Sequence, residues 1–132
     1  MQQITILAEQ EMGLVADITE ALEKENINIQ EMHADAYDYN GTAVIIINVR
    51  DYDLTLKILW DLGLQAFSED VILLMLEDKP GSLGEIARRF ADANIGIRSI
   101  RSVSRTDEKV FVAVSVERTE EALSLISDVF VA

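Results

Sequence analysis

At 132 residues, half of them apolar (49%) and only one a proline, the sequence is long enough for one domain or two small ones sharing a core. Eleven basic against 24 acidic side chains give a net charge of −13, which speaks against partnership with nucleic acid or an anionic membrane, since both demand basic surfaces. The absence of cysteine excludes disulfides, thiolate metal sites and thiol nucleophiles. There is also no basic-then-apolar leader pattern and no apolar run near the roughly 20 residues of a membrane span, so a cytoplasmic protein is expected.

In chain order, Ile4–Ala8 reads as a short strand, Glu9–Gly13 as a polar loop ending in glycine, and Leu14–Glu25 as a helix. Its apolar face carries Leu14, Val15, Ile18, Ala21 and Leu22. Asn26-Ile27-Asn28-Ile29 leads into a strand over Gln30–Asp38, where Met32, Ala34 and Ala36 can face a core. Tyr39-Asn40-Gly41 reads as a hairpin turn into a strand over Thr42–Val49. A second helix is expected over Asp51–Leu62, with Asp51 or Asp53 as N-cap and Leu54, Ile58, Leu59 and Leu62 on one face. Gly63 ends it, Leu64–Phe67 forms a fourth strand, and the junction falls near Ser68-Glu69-Asp70.

The same order then recurs 68 positions later. Val71–Leu76 is a strand, Glu77–Gly81 a loop, Ser82–Ala93 a helix, and Asn94-Ile95-Gly96-Ile97 leads into the next strand. Gly13 falls on Gly81, Ile18 on Ile86, Asn26 on Asn94 and Ile27 on Ile95, while surface residues differ. That is the pattern of two copies of one supersecondary unit. Arg98–Ser104 pairs through a turn with Val110–Val116, a helix starts at Thr119, and the last strand is expected to be no more than the stub Val129–Val131.

Strand-helix-strand-strand-helix-strand, twice, predicts an α+β protein of two ferredoxin-like βαββαβ units, 1–68 and 69–132, with antiparallel sheets and helices on one face only. Val44–Ile47 and Val71–Leu76 are apolar on both alternating faces, so the second face must be covered too. Units of this size are marginal alone. The halves are expected to pair with each other or with another subunit, and a homodimer is expected.

Asp78-Lys79-Pro80-Gly81-Ser82-Leu83 between strand and helix, followed by Asn94-Ile95-Gly96-Ile97, resembles the ACT domain. Glu11-Met12-Gly13-Leu14-Val15-Ala16-Asp17-Ile18 with Glu25–Ile29 is similar in the same register. The resemblance covers nearly the whole chain as a tandem pair. It implies a regulatory, allosteric module that holds a free amino acid between paired domains, using the loop after the first strand and the residue that opens the second. Carried over, it places Asp78, Gly81, Ser82, Leu83 and Gly96 in the second half, and Gln10, Gly13, Leu14, Val15 and Asn28 in the first. Gly96 stands where the family commonly has asparagine, and Met12 where it has proline. One ligand drawing on both halves and two equivalent sites both remain open.

An amino acid needs an anion site beside a cation site. The amides of Gly81–Leu83 or Gly13–Val15 can take its carboxylate, and Glu9, Glu11, Glu77 or Asp78 its ammonium. The net charge favours a neutral or cationic amino acid. Taken singly, each of these acids reads as part of a solvated loop. His33 and Asp35 share a strand face, but one histidine without cysteine falls short of most transition-metal sites, and no metal is expected. Trp60 reads as interface or core packing, and the arginines at 88, 89, 98, 101 and 105 as scattered surface pairing. They leave the second half at −4 against −9 for residues 1–68. No nucleophile elbow, Walker loop or dinucleotide fingerprint is present, so neither a catalytic residue nor a cofactor is expected. A stand-alone amino-acid sensor and a regulatory or assembly subunit of a separately encoded metabolic enzyme both fit. An enzyme relying on carboxylates alone would need a buried, closely spaced Asp/Glu pair.

Overall fold

A computed structural model describes residues 2–37, 41–106 and 108–132. The chain divides into two compact units, Met1–Glu69 and Asp70–Ala132.

The first unit runs β1 (Gln2–Glu9), α1 (Leu14–Lys24), β2 (Glu31–Tyr37), β3 (Thr42–Val49), α2 (Tyr52–Asp61) and β4 (Gln65–Ser68). Its sheet has the order β2-β3-β1-β4 and is antiparallel throughout, the ferredoxin-like arrangement read from the repeat. Ile4 and Ile6 lie on one face with Ile45, Ile47 and Val49, because strand neighbours alternate. Ile18 and Leu22 of α1 and Leu56 and Leu59 of α2 close this core from the helix side. The hairpin residues Tyr39 and Asn40, and Asp38 before them, lie outside the described residues.

The second unit repeats the plan as β5 (Ile72–Glu77), α3 (Ser82–Asp92), β6 (Ile97–Arg105), β7 (Lys109–Val116) and α4 (Thr119–Leu123). The sheet order is β5-β7-β6. The expected stub lies along the free edge of β5: Leu73 N–H donates to Ala132 O at 2.8 Å, Met75 N–H to Val129 O at 2.9 Å, and Val131 N–H to Leu73 O at 2.9 Å. The second unit therefore follows the plan of the first with a short last strand. Its core sets Ile72, Leu74 and Leu76 with the β7 valines against Ile86, Phe90, Ala122 and Ile126. The sheet positions that alternate with these cores, Leu7 and Val44 in one unit and Leu73 and Phe111 in the other, are apolar as well.

Three helices stop in the same way. Asn26, Gly63 and Asn94 each follow a C-cap with φ of +58°, +82° and +59°. Ile27 N–H bonds Leu22 O at 3.0 Å, Leu64 N–H bonds Leu59 O at 3.1 Å, and Ile95 N–H bonds Phe90 O at 2.9 Å. These are Schellman closures, in which a left-handed residue lets the next amide reach back five positions. Asn94 thus caps its helix.

The phase of α2 differs from the sequence reading. Leu54 and Leu62 are exposed, and the buried stripe is Thr55, Leu56 and Leu59. Helical spacing admits both stripes, and packing on the sheet selects the one continuous with Tyr52. Trp60 is likewise exposed over half its surface and ties α2 to β4 by donating Nε1–H to Ala66 O at 3.1 Å. Val15, read as a member of the apolar face of α1, is exposed at the start of its helix, as is Leu83 at the start of α3.

Candidate functional site

Both loops after a first strand are type II turns. In the first unit Leu14 N–H returns to Glu11 O at 3.2 Å with Gly13 at φ +85°, and in the second Ser82 N–H returns to Lys79 O at 3.3 Å with Gly81 at φ +94°. A type II turn needs positive φ at its third residue, hence glycine, and favours proline at its second, where Pro80 and Met12 stand. A Cβ on either glycine would meet nothing within 4 Å, so conformation rather than crowding selects glycine. The same turns fix which amides are free. Leu14 and Ser82, expected to face a carboxylate, donate within the turn, and Asp17 and Glu85 N–H bond the glycine carbonyls at 2.8 and 2.9 Å. Val15 and Ala16, and likewise Leu83 and Gly84, have no acceptor among the described residues, and neither helix has a side-chain N-cap bond. Of the amides read from sequence, Gly13–Val15 and Gly81–Leu83, the middle one of each set is used within its turn, and Ala16 and Gly84 extend the free set by one residue.

The first turn opens onto a cavity of about 550 Å³. Gln10, Glu11, Gly13, Leu14 and Val15 all line it, as do Met12 and Ala16. Ala34, Asp35, Ala43 and Ile45 complete the wall. Register explains their presence: Glu9 pairs with Thr42 and Ala8 with Ala43, while Ala34 pairs with Ile45 and Asp35 with Val44. The ends of β2 and β3 therefore lie beside the turn, and small alanines leave the space unfilled. Sequence reading assigned Ala34 to a core, whereas it is exposed at this wall. Asp35 was legible only as a neighbour of His33, whose Nε2 lies 2.8 Å from Asp35 Oδ2.

The two turns differ in charge. In the second, Lys79 Nζ lies 2.9 Å from Glu77 and holds that carboxyl below the usual carboxylate range, and Arg105 Nε donates to Asp78 Oδ2 at 3.1 Å. Asp78 N–H is also taken, by Glu108 O at 2.8 Å. In the first, neither Glu9 nor Glu11 has a cationic partner among the described residues. Of the two turns, the first alone offers an ammonium carboxylates without a cationic partner among the described residues.

Asn28 and Gly96 are not with the turns of their own units. Gln30 N–H bonds Asn48 O, six residues along β3 from Thr42, a separation of about 20 Å at strand rise. Gly96 sits beside Glu117 at the corresponding end of the second sheet. Among the described residues no Asp or Glu is buried, no group of three His, Cys, Asp or Glu could hold a metal, and no helix is long and apolar enough to cross a membrane.

The whole sequence finds no match among curated proteins. Among solved structures it is similar to a protein from Bacteroides thetaiotaomicron (21% identity, TM-score 0.49, covering 98% of this chain and 89% of that one). It is also similar to the regulatory subunit of aspartate kinase from Thermus thermophilus (16%, 0.46, 96% and 90%) and to the acetolactate synthase small subunit from Thermotoga maritima (15%, 0.47, 99% and 89%). Models of the ACT domain match residues 2–55 and, separately, 71–131. Two matches that between them take in both βαββ segments and most of the 132 residues place this chain in the ACT domain family, as a tandem of two ACT domains.

Proposed function

We propose that this protein is a non-catalytic, allosteric regulatory protein that binds a small amino acid at its ACT turns, with a paired ACT domain covering the open side of the pocket. The observation that carries the reading is the first turn. Its cavity is lined by the free amides of Val15 and Ala16 and by the carboxylates of Glu11 and Asp35. A carboxylate and an ammonium on one carbon need those two kinds of partner side by side. Glu9 and Glu11, without a cationic partner among the described residues, favour a neutral or cationic amino acid. Pairing in a homodimer is supported by the apolar sheet positions that face away from each helical core, Val44 and Phe111 among them. A cytoplasmic location fits a cysteine-free, strongly acidic chain.

The alternative, an assembly subunit acting on a separately encoded amino-acid-metabolism enzyme without a ligand of its own, draws on the second turn. There the acids that would meet an ammonium already hold Lys79 and Arg105. Thermal unfolding against each common amino acid separates the two. A ligand at a hundred times its Kd stabilises by about 2.7 kcal/mol. A shift with one amino acid class supports the sensor, and its absence with all of them, together with co-purification of an enzyme, supports the assembly subunit.

A further inference from the structure

The helix layer of the first unit carries exposed apolar surface that the second unit lacks. Leu54, Ile58 and Leu62 recur one turn apart along α2, so they form a straight stripe about 12 Å long at helical rise. Leu54 is 43% exposed and Leu62 46%, with Ile58 partly buried between them. Trp60 turns to β4 through its bond to Ala66 O. At about 100° per residue the stripe lies on the flank of α2 almost opposite Trp60, where α1 runs beside it.

Unpaired charge frames this stripe. Asp17, Glu20 and Glu23 of α1 and Asp53 and Asp61 of α2 are exposed, and none has a cationic partner among the described residues. Lys24 and Lys57 are the only basic residues of the two helices. The duplicated unit is an internal comparison. There the charges pair within the unit: Arg88 with Asp92 at 3.9 Å, Arg89 with Glu85 at 3.1 Å and Asp128 at 2.7 Å, and Arg118 with Glu121 at 3.0 Å. α4 exposes no large apolar side chain, and α3 only Leu83 at its start. The same fold is thus built without either feature, so neither the stripe nor the unpaired acids are needed to form the helix layer.

We infer that the α1–α2 face of the first unit is a docking surface for a basic amphipathic helix of a protein partner. Apolar groups at one-turn spacing receive the i, i+3, i+4 and i+7 residues of a second helix, ridge into groove. An extended segment adds to a strand edge instead, and the helix layer has none. The acids on both helices select lysine or arginine along the flanks of the incoming one. A second copy of this chain, at −13 overall, brings the same acids and meets like charge at this face. Docking here requires no ligand at either turn.

The test is fluorescence anisotropy of a labelled peptide of about 18 residues, leucine and lysine at helical spacing, titrated with the full-length protein at about 150 mM salt. Two control peptides separate shape from charge: the same composition in strict leucine–lysine alternation, and the helical pattern with glutamate in place of lysine. The basic helical peptide is expected to saturate at one per chain, and each control to bind more than about tenfold more weakly. In the 15N-labelled protein its amide shifts should centre on residues 17–24 and 53–62. Leu54→Ser with Leu62→Ser is expected to weaken binding at least about tenfold with the fold kept, since both side chains are exposed, and Leu83→Ser to leave it unchanged. Absence of saturable binding would overturn the proposal, as would shifts centred elsewhere. Equal binding of the alternating peptide, or undiminished binding by the folded double variant, would do the same by showing attraction to net charge alone. Self-association that the double variant abolishes would also overturn it, by making a second copy the occupant.

Discussion

Arg89 on α3 grips Asp128 with two parallel hydrogen bonds, Nη1 to Oδ1 at 2.7 Å and Nη2 to Oδ2 at 2.9 Å. Nη1 also donates to Leu125 O at 3.1 Å, and Nη2 to Glu85 at 3.1 Å. The guanidinium is only 28% exposed, so this fork is screened less than an ordinary surface pair. It anchors the segment whose carbonyls receive Leu73 and Met75 N–H. Arg89→Ala is expected to cost the second unit about 1 kcal/mol, and Arg89→Lys nearly as much, because an ammonium cannot span both oxygens. Denaturant midpoints measure the loss, and faster amide exchange at Leu73 and Met75 would locate it.

The same pair sets a pH dependence. Arg89 bonds the ionised form of Asp128 and holds that carboxyl below its ordinary value. A group lowered in the folded state stabilises it fully above the unfolded value, about 3.9, and the gain is lost as pH falls through the folded one. Glu77, lowered by Lys79, titrates in the same direction. The thermal midpoint should therefore drop on acidification below about pH 4, and Asp128→Asn should flatten the drop while starting lower at neutral pH. An identical acid limb in Asp128→Asn would assign the slope to other carboxylates.

Most of the fold is visible in the order of residues because duplication doubles each signal. Ile18 and Ile86, Asn26 and Asn94, and Gly13 and Gly81 repeat with their roles intact. Helix phase in α2 is less visible, since Leu54, Leu56, Ile58, Leu59 and Leu62 supply more apolar residues than one stripe needs and only the sheet decides among them. The turns are legible through their glycines. Which amides they leave free is not, because that depends on Leu14 and Ser82 closing i to i+3 bonds. Asp35 and Ala43 reach the cavity wall through strand register, which links positions distant in sequence.

The two glycine turns make separable forecasts. At φ near +90° a β-branched residue is strained by about 1–2 kcal/mol, and at neither position does a neighbour add a clash. Gly13→Val and Gly81→Val should each lose that much stability and still fold and dimerise, with Gly13→Asn losing less. Their effects on ligand should diverge. Gly13→Val is expected to abolish the thermal shift given by an amino acid, since it places bulk at the open cavity. Gly81→Val should spare it, because Glu77 and Asp78 are already paired. Equal loss in both variants would make the two turns functional equivalents.

The left-handed asparagines supply a check on the capping argument that is independent of any ligand. Asn94 at φ +59° lets its own N–H reach Ala91 O at 3.0 Å and that of Ile95 reach Phe90 O at 2.9 Å, with Ile95 and Phe90 in one core. A residue held there by backbone conformation should follow left-handed propensity, not side-chain chemistry. Asn94→Gly is expected to be neutral or stabilising by a few tenths of a kcal/mol, and Asn94→Ala to cost about 1 kcal/mol. Asn26→Gly and Asn26→Ala should behave alike, since Asn26 at φ +58° makes the same closure through Ile27 and Leu22. Chemical denaturation ranks the four variants. If Asn→Gly proved as damaging as Asn→Ala at either position, the asparagine side chain itself would be making the contact that matters.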